Sequence, residues 1–140
     1  MKKQLKIVMQ GLRRYPFSAL CILLIWVLSL TPFFPETPLD DVEFIDKWTH
    51  LVMYGGTSLV VWLEYYRRHR SPLTAHLGRL WLWAGVGLSL MGGLLELLQA
   101  YCTTTRSGEW LDFGADSVGA LGVCLVGSVV AFVVKRPSRH

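Results

Sequence analysis

Charge is scarce in this chain. Only 17% of its 140 residues are Asp, Glu, Lys or Arg, against about 25% in a soluble domain. Apolar residues make up 52%, and the mean hydropathy is +0.39. A soluble domain fits this poorly, and an integral membrane protein fits it well. Cysteine is also scarce: Cys21, Cys102 and Cys124 are too few and of the wrong parity for a disulfide framework. Cys21 and Cys124 fall in apolar runs and read as buried small residues, whereas Cys102 sits near a helix end within reach of solvent. There is no internal repeat and no low-complexity stretch. The chain lacks a G-x-S-x-G elbow, a phosphate-binding loop, a dinucleotide glycine pattern and paired cysteines. No cofactor is expected. The net charge of +4 and pI near 9.2 come without a basic-aromatic patch, so nucleic acid is not expected as a partner. A small-residue cleavage site is missing too. Leu28 to Phe34 reads Leu-Ser-Leu-Thr-Pro-Phe-Phe, so the first apolar run reads as an uncleaved anchor.

What is present is a series of apolar runs with polar connections. Residues 1–16 form a basic segment with Lys2, Lys3, Lys6, Arg13 and Arg14 and no acid. It reads either as an interfacial helix or as a solvated tail. Four spans are expected, at about 17–34, 47–66, 80–101 and 112–134, within one membrane domain covering 17–134. Trp48, Trp62, Tyr65, Tyr66, Trp81, Trp83 and Tyr101 sit where interfacial belts would. His69 and His76 read as solvated or headgroup-facing. Residues 135–140 are a basic tail.

Orientation follows from the partition of charge. Twelve of the fourteen lysines and arginines lie in the N-terminal segment, the 67–79 connection and the C-terminal tail. The other two connections hold only Lys47 and Arg106, beside eight of the ten acids. The positive-inside rule puts those basic segments in the cytoplasm. The expected architecture is therefore all-α: an integral membrane bundle of four transmembrane helices with both termini cytoplasmic, in the bacterial inner membrane.

The polar residues then fall at one level, the outer one. Asp46, His50 and Tyr54 share a helix face at i, i+4 and i+8, and Lys47 borders it. Glu96 lies five residues before Tyr101, and Gln99, three residues on, is expected on the same face as Glu96. Arg106 is in the next connection. Asp112 and Asp116 open the fourth span. Glu96 inside a span is a functional candidate by position, or half of a structural pair with Arg106 or Lys47. Asp112 reads as a helix-start acid; Asp116 is a turn too deep for that. His50 is a candidate general base, a metal ligand or hydrogen-bonded scaffolding. Tyr54 reads as a buried hydroxyl with a partner, and Arg106 as an anchor for carboxylates or a phosphate binder. The spacing matches no known ligand pattern, so no metal is expected. Glycines 55, 56, 92, 93, 114, 119 and 122 suit close helix approach.

Together, Asp46-Lys47-x-x-His50-x-x-x-Tyr54, Glu96-x-x-Gln99, Arg106-x-x-Glu109-x-x-Asp112 and the acid at 116 followed by Gly119 and Gly122 resemble the VanZ-like family, over about residues 40–130. Asp116 departs from the pattern, which usually has Asn there. The resemblance implies a bacterial multi-span membrane protein facing the envelope, with a theme of reduced susceptibility to teicoplanin-type lipoglycopeptides and no defined reaction.

Three readings follow. The outer polar cluster, Asp46, Lys47, His50, Tyr54, Glu96, Gln99, Arg106, Asp112 and Asp116, binds an amphiphilic or lipid-linked envelope ligand, with membrane lipids as the surroundings. Alternatively, His50 or Glu96 is the general base of an enzyme acting on an outer-leaflet headgroup. Alternatively, the cluster is a structural polar knot.

Overall fold

The computed structural model describes residues 1–31, 44–69, 73–104 and 108–134. Among these, all regular structure is helical. Helix α1 spans Lys2–Arg14 and has no buried residue. Helix α2, Pro16–Leu30, turns away from it by 105°. Pro16 opens α2, where its fixed φ suits the first helical turn. The helix stops at Thr31, which is extended (ψ 126), as the residue before a proline tends to be. The first apolar helix is thus shorter than the expected 17–34, and residues 32–34 lie outside the described part.

Helix α3, Ile45–Arg68, runs for 24 residues, starting and ending close to the expected 47–66. The third rod is composite. A 3-10 turn (Leu73–His76) leads into α4 (Leu77–Leu80), a π-helical stretch (Trp81–Gly87) and α5 (Leu88–Cys102). The wide π turn contains Gly85, whose missing side chain lets Leu121 and Cys124 close in. Helix α6, Trp110–Val133, is the last element among the described residues.

Two rods are long and apolar enough to cross a membrane, Thr74–Cys102 and Trp110–Val133. The bent α1–α2 pair, taken as one, is a third. At 1.5 Å per residue α3 is about 36 Å long, but Asp46, Lys47, His50 and Glu64 make it more polar than the others. Burial is inverted relative to a water-soluble protein. Leu23, Leu24, Val27, Leu125, Val126 and Val129 are exposed, whereas Ser58, Glu64, Glu96, Gln99, Asp112 and Asp116 are buried. An apolar exterior over a polar interior is the arrangement lipid demands. The chain is a helical membrane protein.

Helices α3 and α6 run parallel and touch. His50 pairs with Asp116, Ser58 Oγ donates to the Ala120 carbonyl at 3.2 Å, and Trp62 Nε1 donates to Cys124 Sγ at 3.5 Å. The contact is closest at Gly119. A Cβ there would collide with the Leu51 carbonyl and come within 3.0 Å of the Gly55 nitrogen. One apolar cluster, Ile25, Tyr54, Leu88, Leu95 and Ala120, fills the half of the bundle nearer His50. Another, Trp62, Tyr65, Leu80, Ala84 and Cys124, fills the half nearer Arg68.

At the Arg68 end the Tyr65 ring stacks on His69 (3.8 Å between centroids) and its hydroxyl meets His76 Nδ1 at 3.0 Å. These two half-buried histidines, read from the sequence as solvated or headgroup-facing, also pack against Tyr65. Glu64, which carried no expected role, reaches across to the start of α2. It accepts the backbone N–H groups of Phe17 (3.1 Å) and Ser18 (2.9 Å) and the Ser18 hydroxyl (2.6 Å). The first N–H groups of a helix have no intrahelical partner, and here another helix supplies it.

Removing that acceptor leaves buried donors unsatisfied, at a cost of about 1–3 kcal/mol. Glu64→Ala should therefore lower the unfolding temperature of the detergent-purified protein. Glu64→Gln, which keeps an acceptor oxygen, should recover part of the loss. An unchanged temperature in both would mean that water replaces the carboxylate.

Candidate functional site

The parallel pair α3–α6 brings both helix starts to one end of the bundle, and with them most of the expected polar residues. Lys47, on the first turn of α3, is the hub of the rim. Its ammonium pairs with Asp46 beside it, with Glu109 Oε2 at 2.5 Å and with Asp112 Oδ1 at 2.8 Å. The Asp112 contact is one of charge, since no aligned hydrogen bond accompanies it. Asp46 and Glu109 are about half exposed, so the rim opens to the surroundings.

One turn further in, His50 sits between two aspartates of α6. Its Nδ1 lies 2.9 Å from Asp116 Oδ1, and its Nε2 lies 3.8 Å from Asp112 Oδ2. Asp116 is 1% exposed. Its other oxygen, Oδ2, is buried without a hydrogen-bond partner among the described residues. That oxygen lies against Gly92 of α5, where a Cβ would come within 2.5 Å of it. Gly92 thus leaves the room that the carboxylate occupies.

Glu96, one turn along α5 from Gly92, is 7% exposed. Its Oε2 accepts the backbone N–H of Glu109, the residue that opens α6, at 2.8 Å. One ligand atom each from His50, Glu96 and Asp116 lies within 4.8 Å of the others. Beside Glu96 a cavity of about 110 Å³ is lined by Gly93, Leu97, Ala100, Tyr101, Gly108, Trp110 and Phe113.

The placement of the predicted residues is uneven. Asp46, Lys47, His50, Glu96, Asp112 and Asp116 converge. Tyr54 lies a turn below His50, wholly buried in the apolar cluster against Ile25 and Leu88. Gln99 turns away: its amide donates to the Ser29 carbonyl of α2 at 2.7 Å, which ties α2 to α5 and leaves the carboxylates alone. Lys47 does not pair with Glu96, as one expectation had it; its described partners are Asp46, Glu109 and Asp112. Asp112 is the acid of the first turn of α6, as expected, and it also bridges Lys47 and His50. Arg106 lies outside the described residues. Glu109 was missed as a site residue, although its spacing of three before Asp112 places it within reach of the same partner.

Comparison with protein-family models, with curated proteins and with solved structures finds no match. The reading of the site rests on its geometry.

A buried carboxylate that loses its one partner is costly, by about 3–5 kcal/mol. His50→Ala should therefore destabilise the purified protein much more than Asp116→Asn, which removes the charge and keeps the shape. In a double-mutant cycle the two should couple by about 0.5–3 kcal/mol. Additive effects on thermal unfolding would mean that the 2.9 Å contact carries no energy.

Proposed function

We propose that the chain is a VanZ-like protein of the bacterial inner membrane, with four membrane helices and both termini in the cytoplasm. Its polar mouth faces outward and binds an amphiphilic or lipid-linked envelope ligand. The observation that carries this reading is the convergence of one ammonium, one imidazole and five carboxylates at one end of an apolar bundle, with a partly exposed rim. A ligand with a polar head and an apolar body fits such a boundary. The head meets Lys47, Asp46 and Glu109, while the body lies along Tyr101, Trp110 and Phe113 beside the cavity next to Glu96. Susceptibility to lipoglycopeptides is the phenotype that the family resemblance brings to this reading.

A second reading has one observation in its favour. The Asp116–His50 contact at 2.9 Å orients an imidazole as a base is oriented in many hydrolases. With Glu96 nearby, this supports chemistry on an outer-leaflet headgroup. Turnover of envelope lipid precursors by the purified protein, lost in His50→Gln, would decide for it.

A deletion strain complemented with wild type should regain its susceptibility profile towards lipoglycopeptides and detergents, while complementation with Glu96→Gln or His50→Ala should fail at equal protein level. Full complementation by both variants would remove the mouth from the function. The orientation has its own check. Cys102 is exposed, Cys21 half-buried and Cys124 buried. A membrane-impermeant thiol reagent added to intact spheroplasts should label Cys102 alone, and labelling only after lysis would invert the topology.

A further inference from the structure

We infer that His50, Glu96 and Asp116 form the binding site of one divalent transition-metal cation, held between α3, α5 and α6. The inference does not rest on the ligand proposed above; it rests on three donors from three helices and on one buried, unpartnered carboxylate oxygen.

The first support is geometric. Each of the three residues places a ligand atom within 4.8 Å of the others. Metal–nitrogen and metal–oxygen distances near 2.1 Å put any two ligands of one ion at most about 4.2 Å apart. Donors arranged tetrahedrally round one ion would sit about 3.4 Å apart, so side-chain movements of up to about 1 Å close the set. The three donors come from three helices, so no local sequence pattern encodes them, and for that reason the spacing along the chain gave no sign of a metal.

The second support is an orphaned atom. Asp116 Oδ2 is buried in a residue that is 1% exposed, and it accepts no hydrogen bond among the described residues. Buried polar atoms are nearly always partnered. Asp116 Oδ1 is already engaged with His50 Nδ1, so the free valence points to something other than the ring.

The third support is the contrast with the neighbouring trio. Asp46, Glu109 and Asp112 also gather ligand atoms within 4.8 Å, and there Lys47 supplies the cation. Around Glu96 and Asp116 the described residues offer no lysine or arginine ion pair. Their two carboxylates face one imidazole and one backbone N–H. The bundle uses an ammonium where the rim is half open, and the deeper trio calls for a counter-charge of smaller reach. One imidazole and two carboxylates suit Zn²⁺ or Mn²⁺ better than Mg²⁺ or Ca²⁺, whose sites are built from oxygen. Asp112, 3.8 Å from His50 Nε2, is too far for a hydrogen bond and lies at the edge of the set.

The test uses the full chain without a polyhistidine tag, purified in detergent, stripped with a chelator and desalted. Zn²⁺ and Mn²⁺ are then titrated separately by calorimetry, with bound metal counted by elemental analysis. The expected result is about one ion per chain, with affinity falling at least about tenfold in Glu96→Gln and in Asp116→Asn. The double variant His76→Gln/Cys102→Ser removes competing donors elsewhere and should keep the full stoichiometry. Wild type should also unfold at a higher temperature with the metal than with chelator, which gives a readout even where a site variant does not fold. Three results overturn the proposal: less than about 0.2 ion per chain with no thermal shift, an affinity indifferent to Glu96 and Asp116, or loss of the ion only in His76→Gln/Cys102→Ser. If wild type binds nothing and Arg106→Gln binds an ion, the guanidinium is the native counter-charge and the proposal also fails.

Discussion

A carboxylate taken into a membrane bundle has to bring its partner with it, and Asp116 shows how much of this fold follows from that one demand. Its Oδ1 needs His50, so α3 and α6 have to lie close enough for a 2.9 Å contact. That closeness is possible because Gly119 and Gly55 let the two backbones meet. Its Oδ2 needs space, which Gly92 of α5 leaves. Two glycines on two helices, Gly119 and Gly92, are therefore conditions for one buried charge. A side chain at Gly119 would separate α3 from α6, and one at Gly92 would evict the carboxylate.

The bundle meets the same demand elsewhere by turning glutamates towards helix starts. Glu96 accepts the N–H that opens α6, and Glu64 accepts those that open α2. Both acids are contributed by a different helix from the one they serve, so each works as a cap and as a tie between helices. The positive end of a helix favours an anion beside it, and in lipid the exposed N–H groups have no water to turn to. The Glu64 tie, at the Arg68 end, involves none of the site residues and serves as scaffold.

The sequence made the common level of the polar residues legible because depth depends only on counting along each span. It did not make their azimuth legible. Glu96 and Gln99 are three residues apart and read as neighbours, yet Glu96 faces α6 while Gln99 faces Ser29 of α2. Three residues leave a rotation of about 60°, and with neighbours packed on several sides that is enough to change partner. Glu64 escaped notice for a related reason. Its partners are backbone groups at the start of α2, and backbone groups leave no mark in a residue pattern. Pro32 implied both the end of α2 and the extended Thr31 before it, and so a first helix that stops short of the expected residue 34. Of the residues expected at the site, six were brought together because each had a charge to satisfy.

Magnitudes decide what holds those charges. The parallel arrangement of α3 and α6 points two positive helix ends at the mouth, which suits Asp46 and Asp112 in the first turns. Such an interaction is worth about 0.3–1 kcal/mol and fades within one turn. Asp116 is six residues into α6 and is 1% exposed, where the cost of burying an ion runs to several kcal/mol. The helix dipole is too weak and too far away to cover that, and Lys47 is already shared among three other acids. What remains is a single imidazole facing two carboxylates across a gap of a few ångströms. A protonated His50 balances one of them. The second carboxyl at this depth needs either a proton of its own or a cation beside it, whether the mouth binds a ligand or does chemistry on one.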